Sequence, residues 1–186
     1  DNVFSMIKNR FCNIKEELQL QIDLESEFNQ LAKELNKELS MEYLASRGEY
    51  ITSKMVAEYL GYTFVDAKDL ICFDYSGLVN DKETEKAINE AYQKYHKIVI
   101  PGFYGAYPNG TIKTFSRGGS DITGAIVAKA LGATVYENWT DVSGILMADP
   151  KVIDNPKRIN QITYNELREL SYMGASVLHE ETVFPV

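Results

Sequence analysis

The segment Thr114-Phe115-Ser116-Arg117-Gly118-Gly119-Ser120-Asp121-Ile122-Thr123-Gly124 puts an arginine, two adjacent glycines, a serine and an aspartate ahead of the apolar run Ala125 to Leu131. That order reads as a glycine-rich turn opening into a helix. Ser120 or Asp121 is the expected cap, because a side-chain oxygen there can accept an otherwise unpaired backbone N–H. The glycines let the backbone approach a ligand with no Cβ in the way. A helix start is electropositive and favours a carboxylate or phosphate. Arg117 adds a planar fork that grips a carboxylate through two hydrogen bonds. A tight turn before a capped surface helix is the plainer reading of the same residues.

Three other segments carry comparable chemistry. Ser46-Arg47-Gly48-Glu49 leads into a helical run from Ile51 to Leu60, closed by Gly61 as C-cap. Glu49 is then expected in the first turn, where its charge either complements the helix dipole or holds a substrate ammonium. Ile98-Val99-Ile100 reads as a strand buried on both faces, running into the glycine-framed loop Pro101 to Gly105. Open α/β sheets bind ligands beyond strand ends of this kind. Ala133 to Asp141 reads as another strand with a polar end, and Val142 to Lys151 as an irregular loop.

These loops need a scaffold. Residues 3–39 read as helical, with Phe11, Ile14, Leu18 and Ile22 on one stripe and Leu24, Phe28, Leu31 and Leu35 on a shifted one. Ile22-Asp23-Leu24 is expected to divide them into two helices. Tyr62 to Asp66 is a short strand and Leu70 to Phe73 a weaker one. Asp81 to Tyr95 is a polar helix with Ala87, Ile88, Ala91 and Tyr95 on one face. Pro108-Asn109-Gly110 is a turn, so Gly105 to Lys113 forms a hairpin or lid. Ile162 to Leu170 is a helix in which Thr163 and Glu166 are spaced as a capping box. Gly174 to His179 begins a further helix or turn. Alternating strands and helices argue for an α/β fold with a mainly parallel sheet.

Bulk properties narrow the function. With 186 residues, 45% of them hydrophobic, the chain suits one globular domain. Lys and Arg total 19 against 27 Asp and Glu, a formal charge of −8 that argues against nucleic-acid binding as the main activity. Cys12 and Cys72 form no metal or redox motif and suit a reducing compartment. No signal peptide or bilayer-length apolar run is present, so a soluble, cytoplasmic chain is expected. Asp66, Asp69, Asp74 and Asp81 do not follow a calcium-loop spacing. His96 reads as a helix-ending cation and His179 as a solvated or capping residue. The chain starts at Asp1 without an initiating Met, which suggests a processed or truncated piece.

Taken together, Ser46 to Glu49, Phe115 to Asp121, and Trp139-Thr140-Asp141-Val142-Ser143-Gly144-Ile145 with Asp149-Pro150-Lys151 resemble the aspartokinases, members of the amino-acid kinase family. The resemblance covers residues 43–186; residues 1–42 fit that family's variable helical region. It implies a three-layer α/β/α sandwich, in which 1–42 are a helical region and 43–186 the remainder of one truncated catalytic domain. The implied activity is ATP-dependent phosphorylation of the L-aspartate side-chain carboxylate, with Mg²⁺ beside the nucleotide phosphates and no metal-ligating residue assigned.

On the same resemblance, Glu49 would hold the substrate ammonium and Arg117 its α-carboxylate, with Ser120 and the glycine amides beside it. Asp121 matches the acidic residue at the reacting centre. Thr140 and Asp141 match the nucleotide site, and Leu146, Asp149, Pro150 and Lys151 lie along the ATP. Ser176 stands where many members place a nucleotide-contacting lysine. Phosphoryl transfer depends on such positioning and charge neutralisation more than on covalent chemistry. The family's N-terminal Lys-Phe-Gly-Gly-Ser loop has no match in residues 1–42, and its regulatory ACT domains have none either. The isolated chain is therefore expected to turn over little or nothing, and its open sheet edge to give marginal stability or self-association. The complete protein is expected to be a homodimer. The alternatives are another amino-acid kinase, acting on glutamate, acetylglutamate, carbamate or a nucleotide, and a non-catalytic binding module of the same fold.

Overall fold

The computed structural model describes residues 2–35, 39–116, 118–139, 144–148 and 153–172. It divides into two compact units, 1–114 and 115–186.

In the first unit, helix α1 (Asn2–Glu17) stops where Gln19 adopts a positive φ of 55°. The Gln19 and Leu20 N–H groups turn back onto the carbonyls of Glu16 and Lys15, at 3.1 and 3.0 Å. This is the paired closure of a Schellman motif, and it leaves Leu20 buried beneath the helix end. Helix α2 (Leu24–Glu34) then starts on Asp23, whose carboxylate accepts from the Ser26 N–H at 3.0 Å. The expected break between the two helices thus has a stop signal followed by a cap.

Helix α3 (Met41–Leu60) departs from expectation at its start. It begins at Met41, capped by Ser40, and Ser46 to Glu49 lie inside it rather than ahead of it. Gly48 costs helix stability but does not break a helix whose ends are well capped. Gly61 closes α3 in the left-handed conformation, as expected. Leu20, Leu24, Phe28, Ile51 and Met55 form the core between these helices, with Phe4, Phe11 and Tyr50 packed around them.

Strand β1 (Thr63–Phe64) pairs in parallel with β2 (Ile98–Val99), Thr63 opposite Ile98 and Phe64 opposite Val99. Helix α4 (Asp81–Tyr95) connects the two, running from an Asn80 cap to His96. Ile88 and Thr84 form its buried face, whereas Tyr95 is exposed. Ile98, Val99 and Ile100 are half-buried rather than enclosed on both faces; α3 packs against β1 and β2. The expected hairpin is present as β3 (Tyr104–Ala106) antiparallel to β4 (Ile112–Thr114). Leu70 to Phe73 contributes single bridges, Cys72 to Ala106 and Phe73 to Val79, instead of a strand.

In the second unit, α5 (Gly119–Ala130) starts within the glycine pair, with Gly118 as its cap, and α6 (Tyr164–Tyr172) carries the expected capping box. The Glu166 N–H donates to Thr163 Oγ1 at 3.3 Å, and the Thr163 N–H to Glu166 Oε2 at 2.8 Å. Residues 133–139 form no strand. They run back along α5, where their polar side chains bond to Asp121 instead of to a sheet. Gly174 to His179 lie outside the described residues.

Candidate functional site

Glu49 is set on α3, and the helix start at Met41 removes it from the first turn. The dipole explanation for its charge therefore fails. Its carboxyl is half-buried and, among the described residues, has no hydrogen-bond or ion-pair partner. Burial alone holds its pKa above the ordinary carboxylate value. One residue earlier, Gly48 is exposed, and a Cβ built on it would meet nothing within 4 Å. No packing demand within the described structure accounts for a glycine in the middle of this helix. Ser46, one turn before, is fully buried and donates to the Tyr43 carbonyl at 2.7 Å.

In the second unit the cap of α5 is Gly118, with φ 59° and ψ 20°, and not Ser120 or Asp121. A left-handed residue at that point is one that glycine supplies without strain. Ser120 and Asp121 fall inside the first turn, and among the described residues no side-chain cap bond is made at the helix start. A helix start of this kind, without a side-chain cap among the described residues, suits an anion. Asp121 accepts from Asn138 Nδ2 at 3.0 Å, and its carbonyl from the Tyr136 hydroxyl at 3.5 Å. Burial, then the Asp121 charge, push the Tyr136 phenol upward. The Tyr136 ring fits only because residue 124 is glycine, since a Cβ there would lie 2.3 Å from the phenol oxygen. The contacts of Tyr136 and Asn138 with Asp121 were not foreseen because Ala133 to Asp141 read as a strand; the Asn-Trp-Thr-Asp polarity was the available signal.

Of the expected nucleotide residues, Leu146 is described. It is half-buried and bridges Arg158 in an antiparallel pairing, which the Met147 N–H to Lys157 carbonyl bond extends at 2.9 Å. Arg117, Thr140, Asp141, Asp149, Pro150, Lys151 and Ser176 lie outside the described residues. Among the described residues, no cluster of three His, Cys, Asp or Glu side chains could hold a metal. No helix among them is long and apolar enough to cross a membrane.

One further position stands out after β2. Phe103 holds a φ of 60° in the loop that glycines frame, with its ring edge-on to Tyr104 at 5.9 Å. A bulky residue in that conformation carries strain of about 1–3 kcal/mol, of the kind concentrated at ligand sites. The Pro-Gly-Phe-Tyr-Gly sequence marked the loop but not the residue.

The chain is 38% identical over 162 residues to Aspartokinase 3 of Bacillus subtilis, covering 81% of this chain and 35% of that protein. It is 33% identical over 178 residues to the chloroplastic Aspartokinase 1 of Arabidopsis thaliana, covering 86% and 31%. It thus spans about a third of the length of these curated relatives. Among solved structures, the aspartate kinase of Clostridium acetobutylicum superposes with a TM-score of 0.94 at 50% identity, over 100% of this chain and 43% of that one. Aspartokinase III of Escherichia coli, in complex with aspartate and ADP, gives 0.85 at 26% identity, over 98% and 45%. The α/β fold expected from the sequence is therefore the one these structures share. With the amino acid kinase family model matching residues 9–186 as well, the chain belongs to the amino acid kinase family.

Proposed function

We propose that this chain is part of an aspartokinase, which transfers the terminal phosphoryl group of ATP to the side-chain carboxylate of L-aspartate. A carboxylate oxygen attacks the γ-phosphorus, the bond from that phosphorus to the bridging β–γ oxygen breaks, and ADP and 4-phospho-L-aspartate result. Mg²⁺ enters with the nucleotide as part of the substrate. In this reading Glu49 binds the aspartate ammonium, while Arg117, Ser120 and the first amides of α5 bind its α-carboxylate. Asp121, oriented by Asn138, serves at the reacting centre. Thr140, Asp141, Leu146, Asp149, Pro150, Lys151 and Ser176 serve the nucleotide. The whole protein is then a cytoplasmic homodimer working at the first step of lysine, threonine and methionine biosynthesis.

The observation that carries the reading is Glu49, a half-buried carboxylate without a partner among the described residues, beside a glycine that packing does not require. A buried charge of that kind is costly unless a cation meets it, and a substrate ammonium supplies one. Calorimetric titration of aspartate, then Mg-ATP, into the full-length protein tests the assignment. Glu49→Gln and Arg117→Ala are each expected to weaken aspartate binding by at least about ten-fold, the loss of one charge-assisted contact. Unchanged aspartate affinity in both variants, or a preference for glutamate as acceptor, overturns it.

A further inference from the structure

A second site lies on a different face of α3. Tyr43, Arg47 and Tyr50 recur at steps of four and three residues and so form one stripe, whereas Glu49 points roughly 100° away from Tyr50. A cavity of about 620 Å³ opens on this stripe, bounded by α2, the 66–68 segment and the hairpin turn. That volume is in the range of small-molecule sites, about 300–1,000 Å³.

Arg47 is built into the wall of the cavity. Its guanidinium lies 4.4 Å from the Tyr43 ring centroid, 4.5 Å from that of Tyr50 and 5.8 Å from that of Tyr104. Its Nε and Nη2 donate to Ser46 Oγ, at 3.2 and 2.9 Å. A guanidinium carries five N–H donors, so both donors on Nη1 and the second on Nη2 find no acceptor among the described residues. No carboxylate pairs with it there either. The rings fix its plane, Ser46 occupies one edge, and the Nη1–Nη2 edge is left: a fork matched to the two oxygens of a carboxylate.

The other walls are acidic. Asp66 is 8% exposed and accepts from the Tyr104 hydroxyl at 2.7 Å; Lys68 Nζ stands 3.8 Å from its second oxygen. Glu34 accepts from Gln30 Nε2 at 2.7 Å and from the Tyr43 hydroxyl. Glu27, also in the wall, is paired with Lys54. In a cavity lined by both, the carboxylates disfavour a simple anion and Arg47 disfavours a simple cation. A molecule bearing both charges satisfies both.

We propose that this cavity binds a small zwitterion, with its carboxylate on the Nη1–Nη2 edge of Arg47 and its cationic group toward Glu34 and Asp66. The site is separate from the Glu49 face and does not depend on the reaction proposed above. The test is a nuclear magnetic resonance titration of the chain with ω-amino acids from glycine to 6-aminohexanoate, using hexanoate and hexylamine as single-charge controls. Saturable shifts are expected at the Arg47 Nε–H, Tyr43 and Thr111, with the controls at least about ten-fold weaker. Arg47→Lys, which keeps the charge and loses the fork, is expected to weaken binding similarly. Thr111→Trp, at an exposed position in the cavity wall, is expected to block it while leaving the thermal midpoint unchanged. The proposal is overturned if no ω-amino acid gives saturable shifts, if hexanoate binds as well as the zwitterions, or if both variants bind like the parent chain.

Discussion

At the scale of single residues, Glu49 yields a prediction that separates function from stability. Burial raises its pKa in the folded protein, so folding favours the protonated carboxyl. That contribution is fully present below the unfolded value, ordinarily 4.5, and is lost as pH rises through the folded value. At neutral pH the ionised group therefore opposes folding, and replacing it with neutral glutamine relieves the opposition. Glu49→Gln is expected to raise the thermal midpoint at pH 7 and to leave it unchanged well below pH 4.5, as read by calorimetry at the two pH values. A residue kept for packing would behave the other way. The sequence singled out Glu49 and Asp121 as candidates because their neighbours, Ser-Arg-Gly and Arg-Gly-Gly-Ser, are distinctive. The aromatic setting of Arg47 was not legible, since Tyr104 lies more than fifty residues along the chain and reaches it only through the fold.

At the scale of elements, helix boundaries marked by a familiar cap were easier to read than those that were not. Gly61, the Thr163–Glu166 box and the Asp23 break are local signals, each written in nearby residues. The start of α3 was misread because Gly48 looks like a boundary and Ser40, the true cap, looks ordinary. The cap of α5 was misread for the converse reason: side-chain oxygens are the usual cap, but the left-handed Gly118 fills the position. Gly48 gives the prediction for this scale. Alanine in mid-helix is favoured over glycine by roughly 0.5–1 kcal/mol, and the described structure leaves room for the methyl group. Gly48→Ala is expected to stabilise the chain by that amount in urea unfolding while weakening aspartate binding, because the added Cβ stands beside Glu49. Stabilisation with undiminished binding would remove Gly48 from the site.

At the scale of the molecule, the helical stripes and the hairpin followed from periodicity and turn chemistry, and the parallel pairing of β1 with β2 from the connecting helix α4. The stretch 133–139 did not, because apolar alternation cannot show that Tyr136 and Asn138 have better partners on α5 than in a sheet. The three-helix core is the mechanical foundation of the first unit. Phe28 is 1% exposed and touches both Phe4 and Phe11, with ring centroids at 5.8 and 5.7 Å. Phe28→Ala is expected to cost about 3–5 kcal/mol in chemical denaturation, releasing α1 from α2 and α3 together.

Trp139 is the chain's single tryptophan, 88% exposed and one residue beyond the asparagine that holds Asp121. The protein thereby contains its own optical probe. Red-edge excitation bypasses the twelve tyrosines and reports on the second unit alone. A shift in emission colour on adding nucleotide, and its silence toward ligands of the Arg47 cavity, would let a cuvette distinguish the two occupancies without any label.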